Sequence, residues 1–207
     1  SRIALDIEAN NPNGAHILLT DCVLKENINL VSLSSSINIA VKLPGAAPTI
    51  QISKCLFNEK TARAVSITKN NNIGATTHIN IDSCLFDSCR ISLSINAGQT
   101  SQLAVTNSIF RNSNGNFPVL NSLTKNNQIA NCIFTGNKAE YLFQLNGDSQ
   151  IENCVIQNNA PQHFCIAEFS DIVLANCLIE SNHIAQDLGF QLPAISASVY
   201  NTIFQNN

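Results

Sequence analysis

One short pattern recurs eight times along the chain: a small anchor residue, two apolar residues, a two-residue spacer and commonly Asn, with Asn also favoured just before the anchor. The copies are Asp21-Cys22-Val23-Leu24, Lys54-Cys55-Leu56-Phe57, Ser83-Cys84-Leu85-Phe86, Asn107-Ser108-Ile109-Phe110, Asn131-Cys132-Ile133-Phe134, Asn153-Cys154-Val155-Ile156, Asn176-Cys177-Leu178-Ile179 and Asn201-Thr202-Ile203-Phe204. From anchor to anchor the steps are 33, 29, 24, 24, 22, 23 and 25 residues, so the period settles near 22 to 25. Such a period marks a solenoid, whose units bury their apolar faces only against their neighbours.

Before each anchor the apolar residues alternate, as in Ile50-x-Ile52, Ile79-x-Ile81, Leu103-x-Val105 and Ile172-x-Leu174. Alternation of this kind belongs to strands, not to the helical units of other solenoids. Asn-rich breaks fit tight corners, because Asn accepts left-handed torsions better than any residue but Gly. The expected fold is therefore all-β: a parallel β-helix solenoid of about eight coils, 22 to 25 residues per regular coil. Residues 1–207 form a single β-helix domain in this reading, part of a longer chain.

The period sorts residues into columns. Three before the anchor stand Leu19, Ile52, Ile81, Val105, Ile129, Ile151, Leu174 and Val199, an expected inward stack. One before it, Asn107, Asn131, Asn153, Asn176 and Asn201 are expected to form a ladder of amides bonded rung to rung. Two after it, Leu24, Phe57, Phe86, Phe110, Phe134, Ile156, Ile179 and Phe204 should fill the core. Five after it, Asn27, Asn137, Asn159, Asn182 and Asn207 mark a second corner.

The pattern Ile-x-Asn-Cys-Ile-Phe-x-x-Asn of residues 129–137 resembles the repeats of right-handed parallel β-helix proteins of the pectate-lyase-like superfold. Its Phe-x-x-Asn element is similar to the repeats of polymorphic outer-membrane (Pmp-type) surface proteins. The resemblance covers nearly the whole chain from Leu19 and implies a right-handed coil and an extracellular or cell-surface location. On function it is broad, since such folds serve as pectin-active enzymes, tailspikes, adhesins and inert fibres.

Six of the eight cysteines, Cys22, Cys55, Cys84, Cys132, Cys154 and Cys177, share the anchor column with Ser108 and Thr202. A site that accepts Cys, Ser or Thr selects a small, weakly polar residue, so the expectation is a buried, reduced cysteine ladder. Bridging between neighbouring coils is the alternative, as their Cα spacing falls within disulfide range. A straight column cannot wrap four ligands round zinc, and no Cys-x-x-Cys occurs. His163-x-Cys165 with Glu168 nearby reads as loop composition, so no metal site and no cofactor are assigned.

The 11 Lys and Arg are scattered, which excludes a phosphate-tracking nucleic-acid surface. No apolar run approaches the roughly 20 residues that cross a bilayer as a helix, so no membrane insertion is expected of this segment. For catalysis, vertical neighbours matter. Asp148 and Asp171 each lie six before an anchor and should stack on one ladder between Asn126 and Ser196, a candidate ligand or cation site. The four Arg (Arg2, Arg63, Arg90 and Arg111) all lie rungs before that pair, Trp is absent, and the threonines form no ranked ice-binding face. No catalytic residue is assigned.

One further column, Val23, Leu56, Leu85, Ile109, Ile133, Val155, Leu178 and Ile203, lies between two inward columns. Strict alternation turns it outward as an aliphatic stripe, a candidate lateral interface with another protein or another copy. A corner distortion or a covering loop would instead make it core. The chain also lacks any Asn-x-Ser/Thr sequon, in keeping with a protein that never meets the glycosylation machinery or avoids it. The functional expectation is a non-enzymatic surface or extracellular element: a spacer, fibre element or adhesin stalk. The alternative is a polysaccharide-active enzyme or glycan-binding β-helix centred on Asp148 and Asp171.

Overall fold

A computed structural model describes residues 5–9, 16–25, 35–42, 48–58, 63–69, 76–168, 171–183, 187–191 and 196–207. Among these, 22 strands and no helix occur, and the strand pairs are parallel and join elements about one repeat apart. The fold is a parallel β-solenoid, and its strands fall into three ladders.

The third ladder carries the motif itself: Val23–Lys25, Leu56–Asn58, Leu85–Asp87, Ile109–Arg111, Ile133–Thr135, Val155–Gln157, Leu178–Glu180 and Ile203–Gln205 pair in order as an eight-stranded sheet. The second ladder precedes it in each repeat and includes His16–Thr20, Thr49–Ser53, His78–Asp82, Asp148–Glu152, Asp171–Ala175 and Ser196–Tyr200. The first includes Leu5–Ala9, Ser35–Val41, Arg63–Lys69, Tyr141–Asn146, His163–Glu168 and Asp187–Gln191. Two long strands, Ile91–Thr106 and Leu120–Ala130, run from the first ladder into the second and weld the two into one sheet.

Alternation dictates which side chains enter the core. On the second ladder Ile52, Ile81, Val105, Ile129, Ile151 and Leu174 are fully or almost fully buried and stack in register. Val199 belongs to the same column on the strand Ser196–Tyr200, which among the described residues pairs on one side only, and is 49% exposed. On the third ladder Phe57, Phe86, Phe110 and Phe134 pile face to face, with centroids 4.9, 4.7 and 4.7 Å apart and planes within 6°. Where the column changes from Phe to Ile156, Phe143 of the first ladder meets the edge of the stack at 70° to Phe134. The core thus keeps its volume where the repeat loses an aromatic ring.

The corners are fixed by backbone torsion. All eight residues before the anchors, Asp21, Lys54, Ser83, Asn107, Asn131, Asn153, Asn176 and Asn201, have φ between 45° and 56°. That left-handed conformation explains why Asn prevails there. The expected rung-to-rung amide ladder is not what this column makes: its one Asn-to-Asn bond among the described residues is Asn201 Nδ2 to Asn176 Oδ1, 3.2 Å. These side chains are exposed, and what the eight share is the left-handed φ, so the position is selected for torsion.

The continuous amide ladder runs through the second corner instead. Asn137 donates through its backbone N–H and Nδ2 to Asn159 Oδ1, Asn159 does the same to Asn182, and Asn182 to Asn207. The Nδ2 groups of these four also bond the carbonyls of Phe110, Phe134, Ile156 and Ile179, one strand below. Ser113 and Cys89 continue the column toward the start of the chain, Ser113 N–H donating to Asn137 Oδ1 and the Cys89 thiol to the Phe57 carbonyl. Asn27 lies outside the described residues.

The anchor has an equally local cause. Each thiol donates to the carbonyl two residues earlier, as in Cys55 to Ser53, Cys132 to Ala130 and Cys177 to Ala175 at 3.2 to 3.3 Å. Ser108 makes the same bond to Thr106 at 2.7 Å and also accepts the Cys84 N–H. Cys22, Cys55, Cys84, Cys132, Cys154 and Cys177 carry no disulfide in this structure, nor does Cys89.

Candidate functional site

The outward face of the second ladder carries a shallow groove of about 650 Å³. Its spine is a single register column: Thr49, His78, Gln102, Asn126 and Asp148 are successive partners, and Asp171 pairs with Ser196 one step on. Asp148 and Asp171 are vertical neighbours, as the period predicts, with Asn126 below and Ser196 above. A second polar column adds Asn80, Gln128 and Gln150 to the lining. Those amides occupy outward positions four before the anchor, where the sequence marks them only as polar, so the carboxylates alone single out this face from sequence.

Both carboxylates are tied within their own column. The Asp171 backbone N–H points to Asp148 Oδ1 at 3.4 Å, and Ser196 Oγ donates to Asp171 Oδ1 at 2.8 Å. Both side chains are exposed. The groove therefore presents a row of planar amides and two acceptors, with His78 the single ring among its lining residues. That inventory suits hydrogen bonding to a hydroxyl-rich chain lying along the stack. Among the described residues, no three His, Cys, Asp or Glu side chains converge as ligands for one metal ion, and the Cys165 and Glu168 side chains lie outside the described residues.

Two carboxylate clamps lie away from the groove, Asp82 at the end of the second-ladder strand His78–Asp82 and Asp87 at the end of the motif strand Leu85–Asp87. Asp82 accepts from Thr106 Oγ1 at 2.6 Å, Asn107 Nδ2 at 2.8 Å and Ser83 Oγ at 2.9 Å. The Thr106 bond, then the Asn107 bond, holds it below the usual carboxylate range. Asp87 accepts from Arg111 at 2.9 Å, Asn112 at 3.0 Å and Ser88 at 3.1 Å. Burial alone would raise Asp87, but those three donors outweigh it and leave the group depressed.

The aliphatic column lies outside the core. Val23 is 64%, Ile133 36% and Ile203 58% exposed, while Leu56, Leu85, Ile109, Val155 and Leu178 are half-buried. Its members are in unbroken register from Val23 to Ile203. No helix among the described residues is long and apolar enough to cross a membrane. Comparison of the chain with family models, with curated proteins and with solved structures found no match.

Proposed function

We propose that this chain is a non-enzymatic structural or adhesive segment at the cell surface or outside the cell: a spacer, fibre element or adhesin stalk with a right-handed coil akin to Pmp-type repeats. The observation that carries this reading is the aliphatic stripe, in register along the whole eight-stranded sheet and facing outward. A stripe of that length suits lateral packing against another protein or another copy. Two flanking columns widen the face: exposed corner residues on one side, and Lys25, Asn58, Asp87, Arg111, Thr135, Gln157, Glu180 and Gln205 on the other. The test is the pair Ile133→Lys and Val155→Lys, followed by circular dichroism and analytical ultracentrifugation over a concentration series. Native-like melting with weakened self-association or attachment supports the stripe as an interface. Unchanged association in a folded double variant overturns it.

The groove favours a second reading, a glycan-binding β-helix using Asp148 and Asp171. Its support is the row of outward amides and carboxylates. Titration with pectin-like and other acidic glycans, with and without calcium, tests it. Binding that Asp171→Asn abolishes supports this reading, and its absence leaves the structural role.

A further inference from the structure

The anchor column holds two uninterrupted runs of three thiols, Cys22-Cys55-Cys84 and Cys132-Cys154-Cys177, separated by the hydroxyl of Ser108. Stacking is enforced by the backbone: Leu56 N–H bonds the Cys22 carbonyl, Val155 N–H that of Cys132, and Leu178 N–H that of Cys154, at 2.8 to 3.0 Å. The thiols also share one orientation. Cys55, Cys84, Cys132, Cys154 and Cys177 each contact the carbonyl two residues back at 3.2 to 3.3 Å and an inward-strand carbonyl of the preceding rung at 3.6 to 3.9 Å. Identical orientation on a parallel ladder sets successive sulfurs one rung apart, about 4.8 Å. The Cβ atoms share that separation, beyond the roughly 3.5 to 4.5 Å of a disulfide.

That spacing suits another bond. A zinc–thiolate bond is about 2.3 Å long; taking that length as the scale for a metal–thiolate bond, two collinear ones span about 4.6 Å, nearly the rung distance of about 4.8 Å. We propose that the gap between stacked anchor cysteines is a linear two-coordinate site for soft monovalent cations, copper(I) or silver(I), and that each run of three thiols threads two such ions. Thiolate sulfur selects this class of cation. The site differs from a tetrahedral one in needing only two ligands per ion, which a straight column supplies.

The first ion inserted between two thiols displaces two protons and leaves a bis-thiolate of charge −1. A second ion, shared with the third thiol, displaces one more proton, so the filled run of three thiolates and two cations also carries −1. Loss of the thiol protons does not orphan the carbonyls they bonded. The Ala130, Glu152 and Ala175 carbonyls also accept the backbone N–H groups of Asn107, Asn131 and Asn153 at 3.0 to 3.1 Å. Because each ion displaces thiol protons, uptake competes with protons and strengthens as pH rises.

The test counts ions. The fully reduced chain is titrated with silver nitrate in chloride-free buffer, and bound silver is read by native mass spectrometry with circular dichroism in parallel. Serine already occupies this column at Ser108, so serine variants keep the fold, and Cys154→Ala repeats the count with an apolar residue. Cys154→Ser breaks both gaps of its run and is expected to bind two ions fewer than the parent. Cys132→Ser breaks one gap and loses one ion, while Ser108→Cys joins the runs, adds two gaps and gains two. Cys89 and Cys165 contribute the same background throughout. Equal losses from Cys154→Ser and Cys132→Ser, or silver uptake only as the β signal collapses, would overturn the proposal.

Discussion

Asn137 directs two donors at one atom of Asn159: its backbone N–H at 3.0 Å and its Nδ2 at 2.9 Å both reach Asn159 Oδ1, with Asn159 only 1% exposed. Asn159 repeats the arrangement onto Asn182 and bonds the Phe134 carbonyl at 2.9 Å. Each amide therefore ties the rungs together through a group that has no access to water. An unmatched polar atom there bears its full desolvation cost.

Asn159→Ala should accordingly be among the most damaging single substitutions. It removes the acceptor of the Asn137 N–H and of one Asn137 Nδ2 hydrogen, the other still bonding Phe110, and it takes away the side-chain donor to the Phe134 carbonyl. With each buried unsatisfied group costing about 1–3 kcal/mol, we expect a loss of roughly 3–5 kcal/mol. Asn131→Ala, at the exposed corner, loses only the residue that tolerates φ of 56° and should cost about 1 kcal/mol. Urea melts of the two variants check the ranking; equal costs would return the structural ladder to the first corner.

Lys54 occupies the first corner with φ of 53° where later rungs carry Asn. A Cβ-bearing residue without a short polar side chain is strained there by about 1–2 kcal/mol. Lys54→Asn should recover part of that, about 0.5–1 kcal/mol, measured as a higher denaturant midpoint with unchanged slope. A drop in stability would show that the Lys54 charge beside Asp82 matters more than the torsion.

The columns and the Asp148–Asp171 adjacency are readable from the period, because in-register stacking makes sequence offset equivalent to position; the facing of the Val23-to-Ile203 column is not, since the period alone leaves open whether a corner turns it inward. What the period does not separate is cause. Both corners carry the same residue at the same interval, yet Asn is chosen for torsion at the first and for its amide at the second. The difference lies in burial: Asn137 and Asn159 sit in the core while Asn131 and Asn153 face water. The groove is half legible for a similar reason. Its carboxylates are conspicuous in the sequence, whereas Gln128 and Gln150 gain meaning only when the outward columns form one surface.

Phe110 lies between Phe86 and Phe134, 4.7 Å from each ring. Phe110→Ala leaves a cavity bounded by two rings fixed in their own rungs and should cost about 3–5 kcal/mol. Phe110→Ile should cost much less, since Ile156 and Ile179 fill the same column further along. Equal losses would mean that ring stacking, more than volume, holds the column.

Asp82 and Asp87 give the fold a pH dependence of definite sign. Both carboxyls are depressed in the folded state, Asp82 by Thr106 and Asn107, and Asp87 by Arg111, Asn112 and Ser88 against the opposing effect of burial. The unfolded state then binds protons more readily, with carboxyls near a pKa of about 3.9. The stabilisation is present in full above that value and is lost as pH falls through the lower, folded-state pKa values. In the double variant Asp82→Asn, Asp87→Asn, the melting temperature at neutral pH should fall, and its decline on acidification should be shallower than in the parent. Parallel acid-limb slopes in the two proteins would place the acid sensitivity in other carboxylates.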